Sequence, residues 1–297
     1  MKKFFKKIFL TLFIIILILV TTSFVANIIS LNITNEAKKQ IEIKDLNISY
    51  REYGKIGTPL LLIHDFLGSS NDFDLFAKKL SENGQKVLSL DLIGYGLSTK
   101  DSSLSYSIEN LSKLCKDFMY KLGYEKFSVV GTSMGGEIAL NMAYAYPNNI
   151  AKLILLNSSG YTKYTNISSS LSVLSPVFLS YPFEFFNYFN SFFNKNNISL
   201  KSFQYNFTNN LDIDNSIFKK MLLDNSSGKN IKLIKTINKP ALIVWGRDDT
   251  VTPITDAFKI HDAIKNSELN IIENCGHMPY IEAKNLVANK ILEFICN

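Results

Sequence analysis

This sequence predicts an α/β fold, with a mostly parallel central sheet flanked by helices, on three observations. Short apolar runs recur along the chain, at Leu60–Ile63, Val87–Leu90, Phe127–Val130, Leu153–Leu156, Ala241–Trp245 and Leu269–Ile272. Helix-like stretches such as Phe73–Ser81, Ile108–Leu122 and Glu137–Tyr146 lie between most of them. Runs without a polar face fit strands buried on both sides, and alternation with amphipathic helices makes their sheet parallel. The third observation is local: Gly131-Thr132-Ser133-Met134-Gly135 stands directly behind one run and ahead of a helix-like stretch. Glycines flanking a serine there fit a strand-to-helix turn too tight for neighbouring Cβ atoms.

Taken in order, the chain opens with Lys2, Lys3, Lys6 and Lys7, then Ile8–Val20, which is apolar except for Thr11. No charged residue follows until Glu36, and with Phe24–Ala26 and Ile28-Ile29 the apolar stretch reaches the ~20 residues that cross a bilayer. Lysines on its N-terminal side orient such a span with the N-terminus inside. Residues 1–31 therefore read as an uncleaved membrane anchor, with the folded domain outside the cytoplasm. A cleaved signal peptide, and hence secretion, is the alternative. Its small-residue cleavage site would be poor, because Phe24 stands two positions before Ala26.

Residues 32–40 form a polar linker, and 41–297 the folded domain. Ile41–Tyr53 alternates apolar and polar residues and reads as an antiparallel hairpin with its turn near Asp45–Asn47. The strand–helix rhythm that follows breaks only over about 160–233, where Ser, Asn, Phe and Tyr dominate. There Ser180 as N-cap and Pro182 in the first turn start a helix. Aromatic residues on more than one face between Tyr181 and Phe193 do not suit a solvated surface helix. The segment is expected to be a helical cap over the site.

The formal charge of +6 is uneven: the four N-terminal lysines supply most of it, leaving an excess of two from Glu36 onward. That balance provides no basic footprint for nucleic acid. Cys115, Cys275 and Cys296 have no C-x-x-C spacing and imply no disulfide framework. Three scattered histidines make no metal-ligand cluster. Gly94-Tyr95-Gly96 lacks the third glycine of a dinucleotide fingerprint. Neither a metal nor a cofactor is expected.

A serine hydroxyl is a weak nucleophile and needs a base within hydrogen-bond reach, oriented by a third group. Of His64, His261 and His277, the last follows the final strand-like run, on a loop at the sheet edge where open α/β sheets bind ligands. An acid between Ser133 and His277 in the chain is supplied by Asp248 or Asp249, just after the preceding strand. The amide of Met134, at the head of the helix behind Ser133, is placed to stabilise a developing oxyanion.

Five motifs in this order resemble the α/β-hydrolase fold superfamily, over roughly residues 41–297. They are His64-Asp65-Phe66-Leu67-Gly68, Asp91-Leu92-Ile93-Gly94-Tyr95-Gly96-Leu97-Ser98, the elbow around Ser133, Gly246-Arg247-Asp248-Asp249 with Pro253, and Gly276-His277-Met278-Pro279. The resemblance implies Asp249 as the acid, the Phe66 amide as the second oxyanion donor and a structural role for His64. Ser133 would attack a carbonyl, and His277 would take its proton and return it to the leaving group. One residue departs from the pattern: Asp65 stands where the family carries glycine.

Serine in the elbow sets aside the branches that use aspartate there, the dehalogenases and epoxide hydrolases. The expectation is a serine hydrolase cleaving a small-molecule carboxylic ester, acyl or lipid-like given the aromatic cap and the anchor. Two alternatives within the same fold stay open, a C–C bond hydrolase and a cofactor-free haloperoxidase, the former disfavoured by Met278 where an aromatic commonly follows the histidine. From another class, a catalytically silent binding domain is disfavoured by the intact Ser133, Asp249 and His277 set. The sequence carries no signal of oligomeric state.

Overall fold

The computed structural model describes residues 38–161, 188–198, 203, 206, 213, 215–224 and 231–296, with positions 11 and 21. It opens with a hairpin, β1 (Lys39–Ile43) and β2 (Leu46–Tyr53), whose turn is Lys44-Asp45, both at positive φ. Two left-handed residues make the turn whose twist matches the flanking strands. Asn47, placed near the turn by the sequence, belongs to β2, where its carbonyl accepts from the Thr99 amide.

Then come β3 (Ile56–Ile63), α1 (Asp74–Leu80), β4 (Gln85–Leu90), α2 (Ile108–Lys121), β5 (Phe127–Thr132), α3 (Met134–Ala145) and β6 (Ile150–Leu156). After the inserted segment, which holds α4 (Asn215–Asp224) and α5 (Ile231–Ile234), follow β7 (Ala241–Gly246), α6 (Ile254–Ala263), β8 (Ser267–Ile272), α7 (Pro279–Glu282) and α8 (Lys284–Cys296). The eight strands form one sheet in the order β1-β2-β4-β3-β5-β6-β7-β8, parallel from β4 to β8.

Side chains alternate faces along a strand, and here both faces are apolar. Leu61, Ile63, Leu88, Val129, Leu155 and Ile243 join one core cluster; Leu60, Leu62, Val87, Val130, Leu156 and Val244 join the other. The first is closed by α2 and α3, the second by α1 and α8. Leu111, Leu114, Cys115 and Phe118 of α2, at i, i+3, i+4 and i+7, form its buried stripe. Cys115 is thus a core thiol, as is Cys275, while Cys296 is exposed; all three are free.

The helix behind Ser133 begins at Met134, three residues before the predicted Glu137. Gly135 and Gly136 have poor helix propensity, which hides its first turn in the sequence. Within 160–233 the described regular elements are helical: 188–191, a 3₁₀ turn at Lys195–Asn197, α4 and α5. The helix start predicted at Ser180 and Pro182 lies outside the described residues. So does the expected anchor over 1–31, apart from Thr11 and Thr21. Among the described residues no helix is long and apolar enough to cross a membrane.

Candidate active site

Because β5, β7 and β8 run parallel, their C-terminal ends share one edge of the sheet, and Ser133, Asp249 and His277 all follow those ends. Ser133 is the single residue between β5 and α3, at φ 49° and ψ −117°. A non-glycine residue in this region is strained and persists only where its surroundings hold it. Its amide donates to the Leu156 carbonyl (3.1 Å), and its carbonyl accepts from the amides of Gly136 (2.9 Å) and Ser159 (3.0 Å). The side chain makes no capping hydrogen bond and is partly exposed.

The flanking glycines are needed for space. A Cβ on Gly131 would stand 2.1 Å from the Gly135 carbonyl oxygen, and one on Gly135 would stand 2.1 Å from that of Ile63, in the middle of the sheet. Neither oxygen can move without moving a strand or the elbow. Gly135→Ala is therefore expected to destabilise the fold by at least the ~1–3 kcal/mol typical of overpacking. A lowered denaturation midpoint in urea would reveal it.

Asp249 and His277 meet directly: Nδ1–H of His277 donates to Asp249 Oδ2 at 2.8 Å, with the His277 side chain 4% and the Asp249 side chain 0% exposed. That bond leaves Nε2 as the imidazole's open nitrogen. Asp249 Oδ2 also accepts from the Thr252 hydroxyl (2.6 Å) and the Asn157 side-chain amide. Oδ1 accepts from the amides of Val251 (2.7 Å) and Thr252 (3.0 Å). Burial alone would raise the Asp249 pKa, but His277 and these donors outweigh it and hold it below the usual carboxylate value. For His277, burial opposes protonation; the charge and hydrogen bond of Asp249, helped by Asp65 and Glu282, outweigh it and raise its pKa. Asp248 is exposed, and its amide donates to the Cys275 carbonyl.

Several residues that position this pair were not singled out from the sequence. Asn157 sits just past β6 at φ 44°, and its Oδ1 accepts from the Gly246 amide (3.1 Å) while its amide group reaches Asp249. The signal available was its place, an amide side chain directly after a buried strand at the site's edge. The inserted segment also grips the histidine loop: the His277 amide donates to the Ser191 carbonyl (2.8 Å). Glu282 ties both, accepting from Gly276 (2.9 Å), Phe193 (2.9 Å) and Asn194 (3.0 Å) amides.

The loop after β3 supplies the other wall. His64 is fully buried: its Nδ1–H donates to the Asp65 carbonyl (2.7 Å), its Nε2 accepts from Leu92 (3.1 Å), and burial pulls its pKa down to about 4. With both nitrogens occupied it is a neutral brace between the Asp65 carbonyl and the Leu92 amide. Asp65–Gly68 forms a turn closed by the Gly68 amide on the Asp65 carbonyl (3.2 Å). Its left-handed residue is Leu67 (φ 61°), not Asp65, so Asp65 is not forced into a glycine conformation. The Phe66 amide has no acceptor among the described residues, and its ring packs on Tyr95 and on Phe218 of α4. Met134 opens α3, where the amides of the first turn project from the helix end. The inserted segment is clasped here too, since Asn206 accepts from the Ser69 hydroxyl (2.6 Å) and donates to Asp72 (2.6 Å).

The motif beginning at Asp91 is structural. Its carboxylate accepts from Ser70 (2.8 Å) and Leu97 (2.9 Å) amides and pairs with Lys38 (2.7 Å). A Cβ on Gly96 would stand 2.3 Å from it. His261 lies on α6, with its Nδ1 2.8 Å from the Ser267 hydroxyl. Among the described residues no three His, Cys, Asp or Glu side chains gather to hold a metal ion.

A serine on a strained elbow, with a buried acid–imidazole pair on the same sheet edge, defines the class. The chain belongs to the alpha/beta hydrolase fold family, whose model matches residues 58–212 and 218–284. It is 28% identical over 275 residues to YugF, an uncharacterized hydrolase of Bacillus subtilis, covering 86% of this chain and 97% of that one. To Lipase 3 of a Moraxella species it is 28% identical over 274 residues, covering 87% and 86%. The solved structure of an esterase from Exiguobacterium antarcticum superposes with a TM-score of 0.77 at 19% identity, over 87% of this chain and 99% of that one.

Proposed function

We propose that this hydrolase cleaves carboxylic esters through Ser133, His277 and Asp249, with an acyl-enzyme on Ser133. The observation that carries the reading is the buried Asp249–His277 hydrogen bond, 2.8 Å long, on the edge that also presents Ser133. Nε2 of His277 takes the Ser133 proton as Oγ bonds to the ester carbonyl carbon. The C–O bond to the alcohol then breaks, and the same proton passes to the leaving oxygen. Water, deprotonated by His277, releases the acid and restores Ser133. Negative charge on the carbonyl oxygen is met by the amides of Phe66 and Met134, an interaction in which one donor typically carries a ~10²–10³-fold effect.

An acyl or lipid-like substrate is supported by the lipase relative and by the aromatic character of the inserted cap, where Tyr188 packs on Phe192 and Phe203. The apolar segment following the four N-terminal lysines supports a single-pass anchor that holds the domain outside the cytoplasm. The test uses the full chain in detergent on p-nitrophenyl esters of increasing acyl length, with a fluorophosphonate probe in parallel. Turnover with an optimum beyond acetate, together with labelling at Ser133, is expected. A folded protein that neither turns over nor labels would overturn the reading in favour of a binding domain.

A further inference from the structure

Glu282 ends the short helix α7, and its half-buried carboxylate is engaged by main-chain amides of two separate segments. Oε1 accepts from Gly276 (2.9 Å), the residue directly before His277. Oε2 accepts from Phe193 (2.9 Å) and Asn194 (3.0 Å), which belong to the inserted segment. Burial raises its pKa, and these amides, with that of Met278, oppose the rise.

The two segments meet at more than the carboxylate. The His277 amide donates to the Ser191 carbonyl (2.8 Å). A Cβ on Gly276 would stand 2.4 Å from that same oxygen and 2.7 Å from the Phe193 nitrogen, so the backbones lie in contact and only glycine fits between them. The Thr250 hydroxyl, one residue after Asp249, donates to the Asn190 carbonyl (3.3 Å). Residues 190–194 thus touch the loops of both the acid and the histidine.

His277 is therefore held twice, its Nδ1 by Asp249 and its main chain by the insertion. Asp249 sets the tautomer and the turn of the ring. The position of the loop is set by main-chain contacts, and most of those above run through residues 191–194. Nε2 has to meet first Ser133 Oγ and then the leaving oxygen, and a misplacement of about 1 Å can cost ~10²-fold in rate.

We infer that Glu282 is a positioning residue that locks the inserted segment to the His277 loop, so that the imidazole is in place for Ser133 only while residues 190–194 are seated. An acyl chain held under the cap then favours the seated arrangement and supports catalysis at a distance from the reacting bond. The inference rests on the ester-hydrolase reading and adds a regulation of that same site by its cap.

The test measures kcat at pH 8 on p-nitrophenyl acetate and on the longest-chain p-nitrophenyl ester that the wild type turns over. Wild type, Glu282→Gln and Gly276→Ala are assayed as full chains, with thermal melts to establish folding. Glutamine keeps the shape but turns an N–H donor toward amides that need an acceptor. Alanine at 276 adds the Cβ that collides with Ser191 and Phe193 while leaving the Glu282 charge in place, so a loss shared by both variants comes from placement. Both are expected to lose about tenfold or more in kcat on acetate. The loss on the long ester, which reseats the insertion, is expected to be at least about threefold smaller. A residue that only stabilised the fold would lower kcat equally on both. In folded variants, a smaller loss on acetate, or losses on the two esters within about threefold of each other, would overturn the assignment while leaving the hydrolase reading intact. Should neither variant fold, hydrogen exchange of the wild type decides. Relative to a methylphosphonate on Ser133, an octylphosphonate is expected to add protection to 190–198 and 274–283 together. Added protection at 190–198 alone, or at neither, would overturn the assignment. A wild type that turns over no ester and takes no phosphonate would instead overturn the ester-hydrolase reading, and the role of Glu282 with it.

Discussion

Ser133→Ala is expected to lower kcat on a p-nitrophenyl ester by roughly 10⁵–10⁶-fold, the scale on which removing a serine nucleophile abolishes covalent catalysis. The protein should remain folded. The Ser133 hydroxyl caps no helix, and the backbone bonds that hold the elbow, to Leu156, Gly136 and Ser159, survive the change. Alanine bears the same Cβ, so the positive φ costs it no more than it costs serine. On the proposed mechanism KM should change little, because that mechanism assigns the oxyanion contacts to the Phe66 and Met134 amides rather than to the hydroxyl. Stopped assays with a high enzyme load, beside a urea melt, check both halves. Activity within about tenfold of wild type would move the nucleophile elsewhere.

How much of this was legible beforehand depended on the range of the interactions involved. Strands β3 to β7 were visible because burial on both faces leaves their runs nearly all apolar, as Leu60–Ile63 and Leu153–Leu156 illustrate. The elbow glycines were visible because close backbone approach tolerates no other residue. Residues whose contribution depends on distant parts of the chain were not visible. Asn157 braces Asp249 across 92 positions, and Ser69 meets Asn206 across 137. The first turn of α3 was missed for a local reason: Gly135 and Gly136 sit there for space against Ile63 and Ser158, against their own helix propensity. At Asp65 the sequence posed the question correctly, as a glycine replaced. The turn answered it by placing the left-handed residue at Leu67 instead.

The two aspartates after β7 separate in the second large prediction. Asp249→Asn is expected to lower kcat about 10⁴-fold, the scale seen when the acid of such a triad becomes an amide and the imidazole takes the wrong tautomer. Asp248→Asn should stay within about twofold, because its side chain is exposed and only its backbone amide is engaged. The pH profile adds a second readout. On the proposed mechanism His277 must be neutral to accept the Ser133 proton, and its pKa is raised, so activity should fall on the acid side with a midpoint above the ordinary imidazole value of 6.5. The same raised pKa means that the pair's contribution to stability is full below that ordinary value and fades as pH climbs through the folded one. For Asp249, whose pKa is lowered, the contribution is present above 3.8 and fades as pH falls through its folded value. Removing the Asp249 charge leaves His277 buried beside the weaker fields of Asp65 and Glu282, and the acid limb of the residual activity should move down. A limb that stays in place in Asp249→Asn would mean that another group sets it, and the Asp249–His277 hydrogen bond would then be structural only.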